Sequence, residues 1–488
     1  MPGIKRLHPL LWIVFLTAPF ILWGKLLILP TFDDWTTLSS PNYDPQWQQY
    51  FLPYGSSWRP FDAAIGYVYN AIGSQWFPAL SHVLIFLGHA ANALLVYRLC
   101  RLLGFSRMAQ AVATVFFWLS PCTLATVFAC DSLNQVFSQM WGLMAIHVYL
   151  SMNSRWRHPL WLLCVLIATL SKENGLAWAV VPPILAFGFR RISLKTCLRH
   201  LGLGAALAVT YAAVRLSLPL TEVYYEEYHT LFSLTKKLKA VGILLGYTFL
   251  PGDYIYLLYA PMRNPLLFLL TLLPTLPFML LLFFDRPRQL VHRHFLTLLL
   301  CALIAVSPNM LITMSMMNAY AWLAMAALLV AFCTHHCQRK RTLLGFFLLY
   351  LAATAFTYTH HWYCTWRTSL PARYMAQEAI ARSGRRLEHV YVVTVDEEYR
   401  KFSSFITLPT EAFGWGRAVW GQTGFEWPKD FGGIHVDAHT PPSVIDSVAA
   451  EAFAAGYDGV WVVRHDSVSV VWPDSISVTQ RDSVGIVR

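Results

Sequence analysis

Apolar runs of bilayer length recur along this chain from near its first residue to about residue 361, and nothing constrains its fold more than that recurrence. About 20 apolar residues rising ~1.5 Å each as a helix cross the hydrocarbon core of a bilayer, where every backbone group must be satisfied within the chain. The runs fall near residues 9–29, 78–99, 108–121, 134–150, 159–171, 175–189, 199–219, 264–284, 295–312, 316–334 and 342–361. They predict an all-α polytopic membrane protein with about eleven transmembrane helices. With 56% hydrophobic and only 13% charged residues, most of the chain has to lie in lipid. The leading run follows Lys5 and Arg6 and ends in no small-residue cleavage site, so it reads as a retained first span. The apolar stretch 241–259 is interrupted by Pro251-Gly252-Asp253 and reads as an interfacial or re-entrant segment, since a span there would invert everything after it.

A net charge of +11 would point a soluble chain toward nucleic acid, but here the basic residues sit in short clusters between apolar runs. Arg98, Arg101 and Arg107 share one joint; Arg155 and Arg157 the next alternate one. Arg190, Arg191, Lys195 and Arg199 follow, then Arg286, Arg288 and Arg293, then Arg339, Lys340 and Arg341. Cytosolic loops carry such clusters, so these joints and the amino terminus are placed in the cytosol and nucleic acid is set aside as a partner. The opposite, extracytoplasmic face receives residues 30–60, 122–133, 171–174, 221–240 and everything after Tyr363.

From about Leu387 the composition turns soluble. Val390–Val395 and Gly459–Val463 are β-branched runs, and 466–471 and 475–478 partly alternate. Pro441–Ala455 reads as a helix stopped by Gly456. The chain thus divides into residues 1–384, in the membrane, and 385–488, a small C-terminal extracytoplasmic α/β domain that serves as an accessory or acceptor-binding module. Nine cysteines describe no framework; Cys122 and Cys130 share the outer side and either pair or pack as small apolar residues. Cys333-Thr334-His335-His336-Cys337 has the look of a metal motif but lacks a second ligand pair, and reads as a helix end with basic flanks.

The outer loop after the first span holds the adjacent carboxylates Asp33 and Asp34, followed by Trp58-Arg59-Pro60. Adjacent carboxylates repel and seldom share one role, so a general base beside an orienting group is the natural division; a solvated acidic turn at the membrane edge has the same composition. No phosphate loop, dinucleotide fingerprint or zinc-protease helix occurs. Chemistry on that face, away from nucleotide sugars, draws its activated group from a lipid-borne donor or is a hydrolysis.

In order, Phe32-Asp33-Asp34, Trp58-Arg59-Pro60-Phe61, Ser81-His82-Val83, His89-Ala90-Ala91-Asn92-Ala93-Leu94-Leu95 and Ser171-Lys172-Glu173-Asn174-Gly175 resemble the landmarks of the C-superfamily (GT-C) integral membrane glycosyltransferases. The branch they resemble is the transmembrane protein O-mannosyltransferases and their bacterial relatives. The resemblance covers roughly the first 190 residues. Two departures stand: the TPR array is replaced by the α/β tail, and the Arg-Tyr element expected around Met317–Ala321 is missing.

The resemblance implies transfer of a sugar from a polyprenyl-phosphate donor to an acceptor hydroxyl or amine, on protein, glycan or lipid, with inversion at the anomeric carbon. It places Asp33 as catalytic base and Asp34 as the group that orients the acceptor or the base. Arg59 and Lys172 are then donor-phosphate ligands, His82 and Glu173 cavity residues, and the bacterial inner membrane the location. The resemblance fixes no cofactor; Asp33 and Asp34 could hold a divalent metal, which relatives using monophosphate donors generally do without. For Arg59 snorkelling to headgroups, and for Lys172 a surface pair with Glu173, are the competing uses, while His89 and Asn92 suit interhelical hydrogen bonds.

Three other functions compete. A surface-glycan ligase or polymerase would use a diphosphate-linked oligosaccharide and a large outer loop late in the chain, where 221–240 is modest. A transporter needs ionisable residues within spans and repeated topology, and Arg215 is nearly alone in that respect. A non-catalytic scaffold would not require a Trp-, Tyr- and Pro-rich first loop beside carboxylates.

Overall fold

The computed structural model describes residues 8–28, 30, 51–53, 58–73, 76–219, 234–251, 265–308, 316–396, 417–424, 426–464 and 467–475. Every expected apolar run carries helix. The elements of the membrane part are α1 (Trp12–Leu26), α2 (Pro60–Ile72), α3 (Phe77–Leu102), α4 (Arg107–Leu119), α5 (Thr123–Val127), α6 (Leu133–Ser151), α7 (Arg157–Ser171) and α8 (Val181–Gly188). They continue with α9 (Leu194–Ser217), α10 (Leu234–Phe249), α11 (Pro265–Phe284), α12 (Arg293–Val306), α13 (Met316–His336) and α14 (Lys340–Ser383). Local signals set several starts: Ser106 Oγ accepts from Ala109 N at 3.4 Å and Ser193 Oγ from Thr196 N at 3.2 Å, while Pro60 opens α2.

Among the described residues, five helices are long and apolar enough to cross a membrane: Pro9–Leu26, Phe77–Leu102, Leu194–Ser217, Ala319–His336 and Lys340–Thr359. Arg157–Ser171, Leu273–Phe284 and Arg293–Val306 are apolar but shorter. The chain is therefore a multi-pass membrane protein, with fewer unambiguous spans than the eleven expected. The run 175–189 in particular is no single span. It forms a 3-10 turn over Glu173–Ala179 and then α8, whose eight residues reach only about 12 Å, because Pro182 and Pro183 have no N–H to continue the preceding turn. Of the segment 241–259, the part up to Pro251 is described; residues 241–249 belong to α10, whose first residue, Leu234, lies inside the stretch expected as loop.

Helix α13 forms the middle of the bundle, with Leu323, Ala324, Ala327, Leu328 and Val330 fully enclosed. Its Tyr320 ties three helices together: the hydroxyl meets His89 Nδ1 at 2.9 Å and accepts from Asn92 Nδ2 at 3.1 Å, and Asn92 also donates to Val136 O at 3.0 Å. His89 and Asn92 are thus the interhelical hydrogen-bonding residues expected. At the periphery the pattern inverts: Phe20 is 78% exposed, Val209 68% and Leu216 74%, an arrangement lipid stabilises and water does not.

The bundle has two unlike ends. Arg191 donates to Leu102 O, Arg293 Nη2 to Phe187 O at 2.7 Å, His335 Nδ1 accepts from Ser106 N at 3.0 Å, and Gln338 N donates to Asp285 Oδ2 at 2.6 Å. These contacts gather the basic joints at one end. His335 serves there as a cap, and among the described residues no group of three or more His, Cys, Asp or Glu is arranged to hold a metal ion. Cys122 and Cys130 form no disulfide: both are buried thiols, Cys122 Sγ against Ser120 Oγ at 3.3 Å and Cys130 Sγ against His82 Nε2 at 3.2 Å.

Helix α14 has 44 residues, about 66 Å, and leaves the bundle at the other end before Gly384 terminates it at φ +61°. Beyond it come β1 (His389–Asp396), α15 (Arg417–Gln422), β2 (Asp430–Asp437), α16 (Pro442–Ala454), β3 (Gly459–Val463) and β4 (Val468–Val471). The four strands form one sheet in the order β2-β1-β3-β4, parallel except for β3–β4. Val390, Val392 and Trp461 pack on one face with Met375, Ala376 and Ala379 of α14; Val393, Val395 and Val462 pack on the other with Ile445 and Ala449 of α16. The core of this α/β unit thus begins inside α14, ahead of residue 385. Trp420 of α15 and Phe431 of β2 pack with Tyr69, Phe77 and Cys130, so the unit sits on the end of the bundle away from the basic joints.

Candidate active site

The non-basic end brings three segments together. The first is the entry to α2, where Pro60 fixes the first turn and Asp62 follows two residues further in. The second is the turn between α7 and the 3-10 helix. Lys172 is extended there at φ −157° and ψ 142°, its N–H donates to Ala168 O at 3.0 Å, and its carbonyl accepts from Gly175 N at 2.8 Å. The turn is so tight that a Cβ on Gly175 would lie 2.2 Å from the Ala168 carbonyl carbon, which excludes any other residue. Asn174 Oδ1 accepts from Ser138 Oγ at 3.0 Å and fastens this turn to α6. The third segment is the start of α6, where Asn134 Nδ2 donates to Asp62 Oδ2 at 2.8 Å.

Glu173 is the hub. Its Oε1 accepts from Trp58 N at 2.9 Å, and Arg59 Nε lies 3.1 Å from both carboxylate oxygens. The Trp58 ring stacks on Tyr211 of α9 at 5.3 Å, which seats the segment against the bundle. The Arg59 and Glu173 side chains keep 30% and 27% of their surface open, so the pair is accessible from outside the protein.

Burial pushes the Glu173 carboxyl up, but Arg59 and Lys172 outweigh it and hold it below the ordinary carboxylate range. Asp62 goes the other way: burial dominates over Arg59, Asn134 and Lys172 and raises its carboxyl to about 6. Burial, and next Arg59, press the Lys172 ammonium down to about 8 against the pull of Glu173, Asp62 and Asp131. One cluster therefore holds a carboxyl that changes charge just below neutrality and an ammonium that does so just above it.

Of the sequence-derived site residues, Arg59, Lys172 and Glu173 converge. The ion pair among them joins Glu173 to Arg59, 114 residues away, and not to its neighbour Lys172, the pair weighed as the competing use of Lys172. His82 lies apart from them. It is buried in α3 with Nε2 3.2 Å from Ile28 O and beside Cys130, while the adjacent Ser81 Oγ donates to Cys130 O at 2.5 Å. Asp33 and Asp34 lie outside the described residues. Asp62 and Asn134 were not singled out in the sequence; the signal for Asp62 was an acid in the first turn of a helix opened by proline.

No family model matches the chain, and no curated protein does. Among solved structures it is similar to the crystal structure of the Archaeoglobus fulgidus oligosaccharyltransferase in complex with Zn and sulfate, at 15% identity and a TM-score of 0.46, over 92% of this chain and 67% of that one. A likeness of that size assigns neither activity nor substrate.

Proposed function

We propose that the chain is an integral membrane glycosyltransferase that moves a sugar from a polyprenyl-phosphate donor to an acceptor hydroxyl or amine on the extracytoplasmic face, with inversion. In this reading the basic joints face the cytosol of a bacterial inner membrane, and residues 1–384 carry the chemistry beneath an extracytoplasmic domain of residues 385–488. The observation that carries the reading is Lys172. It shares the turn with the Arg59–Glu173 pair, which is 27–30% open to the outside; burial and Arg59 outweigh the pull of Glu173, Asp62 and Asp131 on its ammonium, so an arriving anion such as a lipid-borne phosphate is favoured there.

The transfer balances without a co-reactant. The acceptor oxygen loses its proton to a carboxylate and attacks the anomeric carbon, and the bond from that carbon to the phosphate oxygen breaks. The phosphate departs with its electron pair toward the Lys172 ammonium, whose charge matters more as the leaving oxygen becomes more negative. Asp33 takes the base role from the resemblance, with Asp34 orienting it; a positioned base is worth about 10² to 10⁴ in rate. Arg59, held by Glu173, supports the positive potential and fixes the turn. Asp62 offers a further proton acceptor in the same cluster.

Purified protein in lipid nanodiscs, given labelled polyprenyl-phosphate hexoses and, separately, diphosphate-linked oligosaccharides, tests this. Release of polyprenyl phosphate in step with labelling of an acceptor is expected. Turnover confined to the diphosphate donors, or no turnover with either, contradicts the proposal.

A further inference from the structure

At the basic end, away from the cluster just described, three nitrogen atoms are buried without a hydrogen-bond partner among the described residues: Arg157 Nε, His158 Nε2 and His200 Nε2. They are neighbours. The His158 and His200 rings lie 4.5 Å apart, and the Arg157 guanidinium sits 4.4 Å from the centroid of Tyr149. The Tyr149 hydroxyl meets His200 Nδ1 at 2.5 Å. With that hydroxyl donating to Nδ1, the imidazole proton resides on Nε2, which makes Nε2 a donor. His200 is only 2% exposed, so water does not satisfy it from the bulk. A buried donor left unmade is costly, and here it coincides with a second, Arg157 Nε, and with the unpartnered His158 Nε2.

The charge around them has one sign. Arg157 and Arg199 both act on His158 and on His200. The sequence holds no Asp or Glu from Ser132 to Lys172, nor from Asn174 to Thr221, so the three helices that build the cluster bring no carboxylate of their own. Tyr149 and Trp161 close its inner side, their rings edge to face at 5.1 Å. Arg157 and His158 are half-buried and Arg199 is exposed, so the cluster opens at the end of the bundle where the α6–α7 joint and the start of α9 meet the membrane edge.

We infer that Tyr149, Arg157, His158, Arg199 and His200 form a binding site for a phosphate-bearing anion at the basic end of the bundle. A phosphate brings several acceptor oxygens and negative charge, matching the Arg157 and His200 donors in want of acceptors, the two guanidinium groups in want of a counter-charge, and the His158 ring in the form that carries a proton on Nε2. An anionic lipid headgroup and free phosphate share this chemistry.

The test uses the full-length protein. In one arm it is reconstituted with phosphatidylcholine, with or without phosphatidylglycerol, re-extracted, and its retained lipid read by native mass spectrometry. In the other arm delipidated protein in detergent is titrated with inorganic phosphate at constant ionic strength and followed by thermal unfolding. Preferential retention of phosphatidylglycerol assigns the site to a lipid headgroup, and a phosphate-dependent rise in unfolding temperature without that retention assigns it to free phosphate. Either effect should weaken roughly tenfold in the Arg157→Gln, Arg199→Gln double variant. Arg199→Gln alone, at an exposed position, should weaken it in the same direction should the double variant fail to fold. Neither effect in the wild type, or an effect unchanged by these substitutions, overturns the inference.

Discussion

Arg59 Nε lies 3.1 Å from each carboxylate oxygen of Glu173, joining the entry of α2 to the α7 turn across 114 residues of sequence. Glu173 also accepts from Trp58 N, so a single side chain organises both the ion pair and the backbone that leads into α2. Positioning of Lys172 and Asp62 depends on that junction.

Removing the hub should be felt as stability. Glu173→Gln leaves Arg59 without its counter-charge and should cost about 1–2 kcal/mol, a moderate figure because both side chains are partly open to solvent. Thermal unfolding in nanodiscs reads it. Arg59→Gln should cost a similar amount, and the double variant little more than either single one, the mark of coupled residues. Additive losses would show that the pair is not a unit.

The pH dependence has two opposite limbs. Asp62 binds its proton more tightly folded than unfolded, so its contribution is present below its ordinary value of 3.8 and is lost as pH rises through about 6. Lys172 holds its proton less tightly folded, so stability attributable to it rises with pH between about 8 and 10.5. Unfolding temperatures measured from pH 4 to 10.5 should therefore show Asp62→Asn flattening the lower limb and Lys172→Met the upper. Wild-type slopes in both variants would place these groups in ordinary surroundings.

Gly175→Ala places a methyl group into the Ala168 carbonyl, where 2.2 Å leaves no room. Backbone cannot swing aside as a side chain does, so a loss of about 3 kcal/mol is expected, with Lys172 and Glu173 displaced together. Calorimetry on Gly175→Ala beside the unobstructed Gly202→Ala separates a local steric effect from a general helix effect.

Much of this architecture could be read from residue order. Long apolar runs must become helices, and each one did; the β-branched run 459–463 and the stretch 441–455 ended in Gly456 became a strand and a helix close to the expected bounds. What escaped was decided by contacts distant in sequence. Strand β2 was missed because Gly432 and Gly433 weaken a strand signal, while in the fold a Cβ at Gly432 would lie 2.4 Å from the Tyr457 hydroxyl. In the site, adjacency offered a Lys172–Glu173 pair as the competing use, yet the approach of Trp58 and Arg59 to the α7 turn gives Glu173 to Arg59. Asp62 had only its helix-start position, and burial beside Asn134 makes it notable.

Trp420 joins the α/β unit to the bundle through Tyr69 and Phe77. Trp420→Ala should remove about 3–5 kcal/mol of packing at that junction and release the unit. Hydrogen exchange should then speed up in α2 and at the start of α3 while the strands β1 and β3 stay protected. Unchanged exchange in α2 would mean that the junction is held by other contacts.

The central claim is tested most directly by the initial rate of labelled-sugar transfer from polyprenyl phosphate, measured side by side for the wild type, Lys172→Met, and the Asp33→Asn, Asp34→Asn double variant, all folded and in lipid. The account predicts that kcat/KM falls about 10-fold or more in Lys172→Met and that the rate falls about 10²-fold or more in the double variant. Wild-type rates in both would contradict it, leaving the acidic pair as a membrane-edge turn and the Arg59–Glu173 junction as a purely structural clasp.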